Sequence, residues 1–336
     1  MRRFLTYLTL AAVAASVMVS CHKKEKEKLY MTGNLNPGAP AYKLINTACI
    51  CHTGGITDPA QGVKYFWTNS YNTKDTAWVA SGGLYYFIVP DSLGKYTITE
   101  TAMADGYYND IAQNYVTSIM PWLGGSLQGL PEPKDSILDA RDNQYYHIME
   151  AGNLFWFAEN LNFYEAGTGY EAADDIGYVT GRLYTWKEAT GGVSGSGLGS
   201  GPQGICPDGW SVPTNEDWED LAKALTGKDF SFFDKWSEVG NHVMNEATFN
   251  GDRFWPYSAN TNPTNDLEWN ALAAGMSQHQ HHSFQGLLTY AYFWSSTERD
   301  SKTAYYRYLY FDLPDFPFNY AENDNPGFSV RCVKKK

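Results

Sequence analysis

Beyond residue 20 the chain has no apolar run approaching the roughly 20 residues a helix needs to cross a bilayer. Basic charge is also in short supply. Lys and Arg number 25 against 37 Asp and Glu, a net charge of −12. Such a surface repels phosphate backbones, so nucleic acid is not expected as a partner. The usual signatures of hydrolases, zinc peptidases and EF-hands (GxSxG, HExxH and the calcium loop) do not occur. The glycine-rich run from Gly191 to Gly204 lacks the Lys-Ser/Thr ending of a phosphate loop and reads as a flexible surface insertion. Cysteine is scarce, at five residues. These absences leave a non-catalytic binding or structural protein as the expectation.

What is present begins with an export signal. Arg2 and Arg3 precede a short apolar stretch, Phe4 to Val19, too short for a bilayer span. It closes on Met18-Val19-Ser20-Cys21, which resembles the lipobox of bacterial lipoproteins. That resemblance implies cleavage after residue 20 and acylation of Cys21. Each acyl methylene contributes about 0.8 kcal/mol of membrane affinity, so two or three chains anchor permanently. Loss of Arg2 and Arg3 with the leader takes the charge from −12 to −14. Residues 21–29 include His22 to Lys28 (HKKEKEK), a charged tether unable to pack. The expected location is the outer membrane, lipid-anchored and facing the extracellular side.

Four cysteines then remain, an even number that permits disulfides in an exported chain. Cys49-Ile50-Cys51-His52 is one residue short of a haem-attachment motif. On a strand residues 49 and 51 share a face. Two buried thiols, a strained bridge and a metal site all stay open there.

Residues 30–120 read as strands separated by turns. Val63 to Trp67 and Leu84 to Val89 are aromatic and β-branched, and Lys95 to Ala102 alternates. Asp91 to Ile98 resembles the immunoglobulin-type corner in which a Tyr, here Tyr96, hydrogen-bonds backward, with Trp67 and Ile98 as core residues. The expectation is an all-β immunoglobulin- or PKD-like sandwich serving as a spacer. Residues 121–133, rich in Gly and Pro, read as a linker.

Residues 134–336 carry seven ordered fragments. They are Trp156-Phe-Ala-Glu-Asn-Leu-Asn162, Gly181-Arg-Leu-Tyr-Thr-Trp186, Cys206-Pro-Asp-Gly-Trp-Ser-Val-Pro213, Glu216-Asp-Trp-Glu-Asp-Leu221, Phe293-Trp-Ser-Ser-Thr-Glu298, Ala304-Tyr-Tyr-Arg307 and Gly327-Phe-Ser-Val-Arg-Cys-Val333. In order, spacing and identity they resemble the Fibrobacter succinogenes major paralogous domain. The resemblance implies an α+β, C-type-lectin-like fold, distantly similar to formylglycine-generating enzymes. It also implies a staple between Cys206 and Cys332, which leaves no reactive cysteine pair for that enzyme chemistry. Thr214 with Asp217 forms a near capping box ahead of a helix bearing Trp218, Leu221, Ala222 and Leu225 on one face. The motif tryptophans read as core.

Two clusters are candidate sites. Trp255, Tyr257, Trp269 and Tyr292, with Arg253 as a polar neighbour, offer rings for a glycan or peptide ligand. His279, His281 and His282 offer imidazoles to a transition metal, with 279 and 281 on one face of a strand. Glu322 to Asn325 is a faint calcium pattern. No cofactor is expected beyond these openings. Lipoproteins of this kind accompany SusC/SusD-type outer-membrane transporters, so such a complex is the expected partner. A structural capping subunit is the alternative, and a formylglycine-generating-type enzyme a third.

Overall fold

Alternation with aromatic and β-branched residues favours extended chain, and strands are what form over the first module. The computed structural model describes residues 27–132 and 134–336, so Cys21 and the leader lie outside the described residues. A five-stranded sheet runs in the order Tyr42–Leu44, Asp110–Ile119, Lys95–Met103, Lys64–Asn69, Thr76–Ala80. A separate antiparallel pair, Ala48–His52 with Leu84–Ile88, contributes Cys49, Cys51, Tyr85 and Phe87 to the same core as Trp67, Ile98 and Val116. The Tyr96 hydroxyl donates back to the Ser92 carbonyl at 3.2 Å.

Cys49 and Cys51 are free, fully buried thiols on one face of their strand. The hydrogen bond to Cys49, with burial, pushes the Cys51 thiol up. Beside them lies an unusual polar pocket of the core. Glu100 sits directly across from Trp67 in the sheet. Neither Glu100 oxygen, nor Trp67 Nε1, nor Thr53 Oγ1 has a hydrogen-bond partner. Burial raises the Glu100 pKa from 4.5 to about 7; the Gly54 N–H, too poorly placed to count as a hydrogen-bond partner, opposes part of that shift. A carboxyl whose folded pKa is raised binds its proton more tightly in the native state. Stability is therefore lost as pH climbs from 4.5 to 7, by about 3 kcal/mol in total. Glu100→Gln should flatten this slope and raise the urea midpoint at pH 8. An unchanged slope would show that Glu100 is solvated.

The second half is also strand-rich. One sheet takes Asp135–Asp139, Gln144–Ala151, Leu154–Phe157 and Val333–Lys335 in that order, so the chain's end pairs with the start of the domain. Another orders Ser283–Leu287, Ala274–Gln278, Tyr290–Asp300, Thr303–Tyr310 and Phe318–Glu322. The longest helix among the described residues is Asn215–Thr226. Its capping box forms as the sequence indicates, Thr214 Oγ1 accepting from Asp217 N–H and the Asp217 carboxylate accepting from Thr214 N–H. Trp218, Leu221 and Ala222 point inward from it.

The expected fold class is nevertheless overturned. Strand accounts for 39% and helix for 11%, and the sheets curl into half-barrels; an α+β lectin-like domain is not what residues 134–336 form. The first module is all-β, and its strand-rich make-up fits immunoglobulin-like folds. The local signals for helix were sound, but each helix is short and packs as a patch on sheet.

Two loop readings are also corrected. The run 191–204 is tied to the long helix, with Gly197 and Gly199 N–H groups donating to Glu216 and Asp217. Gly201 passes so close that a Cβ there would lie 2.0 Å from the Val212 carbonyl oxygen, which requires glycine. Residues 121–132 are not a free linker. Leu127–Gln128 pairs with Thr248–Phe249, and Leu123, Ser126 and Leu127 are buried.

Candidate functional site

Strands Tyr290–Asp300 and Thr303–Tyr310 are antiparallel neighbours, and their register sets aromatic residues opposite one another. Tyr290 faces Tyr310, Tyr292 faces Tyr308, and Trp294 faces Tyr306. The intervening residues Ala291, Phe293, Arg307 and Leu309 point the other way and are fully buried. Alternation thus sorts the rings onto one face. Tyr290 stacks on Tyr310 at 4.6 Å between centroids, and Tyr292 on Phe328 at 5.0 Å. Trp294 is sealed inside, with its indole N–H donating to the Tyr184 carbonyl. All five tyrosines are half-buried, so the ladder runs from a sealed end at Trp294 to an open end at Tyr290 and Tyr310.

The electrostatics of this face are neutral. Burial, then the neighbouring phenols Tyr306, Tyr290 and Tyr308, raises the Tyr292 pKa. Burial and Tyr308 push Tyr306 up to about 12. The Tyr292 and Tyr306 hydroxyls therefore stay protonated and both donate and accept hydrogen bonds. Flat rings edged by neutral hydroxyls suit uncharged polar ligands, and the two-torsion tyrosine side chain loses little entropy on contact.

The sequence candidates are scattered by the fold. Tyr292 belongs to the ladder. Trp255 and Trp269 are buried, Trp255 donating from Nε1 to the Ala271 carbonyl and Trp269 packing against Trp156, Trp218 and Phe293. Neither offers a ring to a ligand, which corrects that reading. Tyr257 is 75% exposed beside Arg253, which pairs with Glu246 at 3.0 Å.

His279, His281 and His282 fall on the turn between Ala274–Gln278 and Ser283–Leu287, not on a strand, so the shared-face argument fails. His281 is engaged by Ser277 Oγ at 2.7 Å and Glu188 at 3.0 Å. Burial opposes ionisation of Glu188, but hydrogen bonds from His281 and Thr185 outweigh it and hold that carboxyl below its ordinary value. Asn325 accepts from His279 N–H and Asp324 pairs with Lys187, so the calcium-like run is spent on local contacts. Among the described residues no three His, Cys, Asp or Glu side chains are grouped to hold a metal. Cys206 and Cys332 form a disulfide.

A family model described as the Fibrobacter succinogenes major domain matches residues 149–334, more than half of the 336-residue chain. The chain belongs to this family. No curated protein matches it. The Fibrobacter succinogenes major domain here spans the stapled cysteines, the long helix and the whole tyrosine ladder. Its FSVR segment delivers Arg331, whose guanidinium is fully buried and bonded to Asn160 Oδ1 and to the carbonyls of Phe157, Trp269 and Asn270.

The ladder escaped the sequence reading in part. Tyr306, Tyr308 and Tyr310 read as packed because nothing in one strand reveals what faces it. The alternation of Tyr at 290 and 292 and at 306, 308 and 310 was the available signal.

Proposed function

We propose that this protein is a non-catalytic, lipid-anchored outer-membrane protein, facing the cell exterior, that captures a glycan or peptide on its tyrosine ladder. Nutrient uptake alongside a SusC/SusD-type transporter is the setting. The carrying observation is the ladder itself, five half-buried tyrosines in cross-strand register, with Tyr290 stacked on Tyr310 and Tyr292 on Tyr308. Contiguous part-exposed aromatic surface is uncommon on a protein without a partner. The bridge between Cys206 and Cys332 supports the non-enzymatic reading, because it occupies the sulfurs that formylglycine-type chemistry would require. Cys21 supplies the anchor in this account.

A second reading draws on a separate surface. Ile50, Leu84, Tyr86 and Ile88 stand exposed on the outer face of the two-stranded pair in the first module, Tyr86 at 69%. Such a face suits a structural subunit of a surface assembly. Glycan and peptide arrays probed with lipid-free protein separate the two. Saturable array binding supports capture; empty arrays, with a membrane partner retained in gentle detergent, support the structural reading instead.

A further inference from the structure

A cavity of about 340 Å³ lies on another part of the molecule, beside the segment that precedes the family domain. Its floor is Ile148, Met149 and Ala158, and its walls come from Trp122 to Gly125 on one side and Glu268 with Asn270 on the other. Trp122 is 55% exposed, unusual for the largest apolar side chain. Its ring lies across the following turn, since a Cβ on Gly125 would come within 2.1 Å of the indole nitrogen. The ring thus lies against that turn and stays exposed beside the cavity.

The polar lining includes a buried carboxylate with one oxygen unpaired. Glu159 is only 5% exposed and lines the cavity. Its Oε1 pairs with His147 Nδ1, while Oε2 has no hydrogen-bond partner. An orphan buried acceptor is costly and is rare where nothing ever meets it. Charge does not set the ligand class. Three carboxylates, Glu132, Glu159 and Glu268, stand against Lys134, His147 and the buried Arg331 behind Glu159. Lys134 pairs with Glu268 at 2.7 Å. The hydrogen bond to Glu159 raises the His147 pKa and favours its cationic form. With the charges balanced, an ionic ligand gains little, whereas a neutral ligand can hydrogen-bond with Glu268 and Asn270.

We infer that this cavity is a binding site for a neutral sugar of one or two rings, stacked on Trp122 with its hydroxyls directed to Glu268 and Asn270. The volume lies near the lower end of small-molecule sites, about 300–1,000 Å³, too small for an extended polymer. The inference does not rest on the tyrosine ladder.

The test uses the full mature chain without its lipid and a panel of methyl glycosides of neutral hexoses and N-acetylhexosamines. Tryptophan fluorescence and calorimetry are read for each. At least one glycoside should bind saturably, and Trp122→Ala should weaken it by about tenfold or more, the worth of roughly one good stacking contact. Trp122 is exposed, so this variant should fold; Glu268→Gln gives a second, milder loss. Tyr290→Ala with Tyr310→Ala should leave binding here unchanged. No saturable binding by any glycoside to folded protein, undiminished binding by Trp122→Ala, or preference for lysine amide over every sugar would each overturn the inference.

Discussion

Arg331→Ala should lower the stability of the family domain by about 3–5 kcal/mol, enough to unfold much of the population of a typical domain. The reason lies in what the guanidinium holds. It is fully buried and bonds Asn160 and three backbone carbonyls drawn from segments 61 to 174 residues away. It also lies over the Trp269 ring at 4.2 Å. Burial lowers its pKa, and the nearby Glu159 carboxylate opposes that shift. Removing the side chain strands every acceptor at once and leaves Glu159 facing one cation fewer. Arg331→Lys keeps the charge but not the planar fork, so it should recover only part of the loss. Urea denaturation followed by tryptophan fluorescence measures both. A loss under about 1 kcal/mol for the alanine variant would mean that water enters and satisfies the carbonyls.

Removing the disulfide should cost as much or more. Cys206 and Cys332 close a sequence separation of 126 residues, and the chain-entropy account assigns such a loop about 4–5 kcal/mol. Both sulfurs sit in a core cluster with Trp186, Trp210, Trp294 and Phe328. The Cys332 carbonyl also accepts from Phe157 N–H at 2.9 Å, so the segment held by the bridge is also tied to Leu154–Phe157. Cys206→Ala with Cys332→Ala, or equilibrium reduction with dithiothreitol, should lower the midpoint without abolishing the folded state, since the aromatic core persists. A midpoint unchanged by reduction would contradict this account. Arg331 and Cys332 are adjacent in sequence, so a combined variant should show a coupled loss instead of a simple sum.

How much of this was legible beforehand depended on range in sequence. The capping box at Thr214 and Asp217 and the inward helix face of Trp218, Leu221 and Ala222 are local patterns, and they formed as read. The strands of the first module likewise followed from alternation. Fold class depends on how sheets curl and which strands neighbour each other, and no local spacing carries that. Helical signals that are real but brief therefore suggested a helical layer where the chain builds sheet. Asp174 pairs with Arg182, and Asp175 with Lys43, 132 positions away in the chain, a partner no local pattern reveals. Trp255 and Trp269 looked like ligand rings because sequence cannot distinguish a wall from a floor. Trp122, His147 and Glu159 carried no shared motif and meet only through the fold.

The central claim is that the open end of the tyrosine ladder is a recognition surface. Its most direct test is the affinity of lipid-free protein for its best array ligand, compared with Tyr290→Ala/Tyr310→Ala. Those rings are half-buried at the margin of the sheet, so the fold should survive their loss, which circular dichroism checks. The account predicts a fall of about tenfold or more, with thermal stability nearly preserved. Equal affinity in the folded double variant would contradict it.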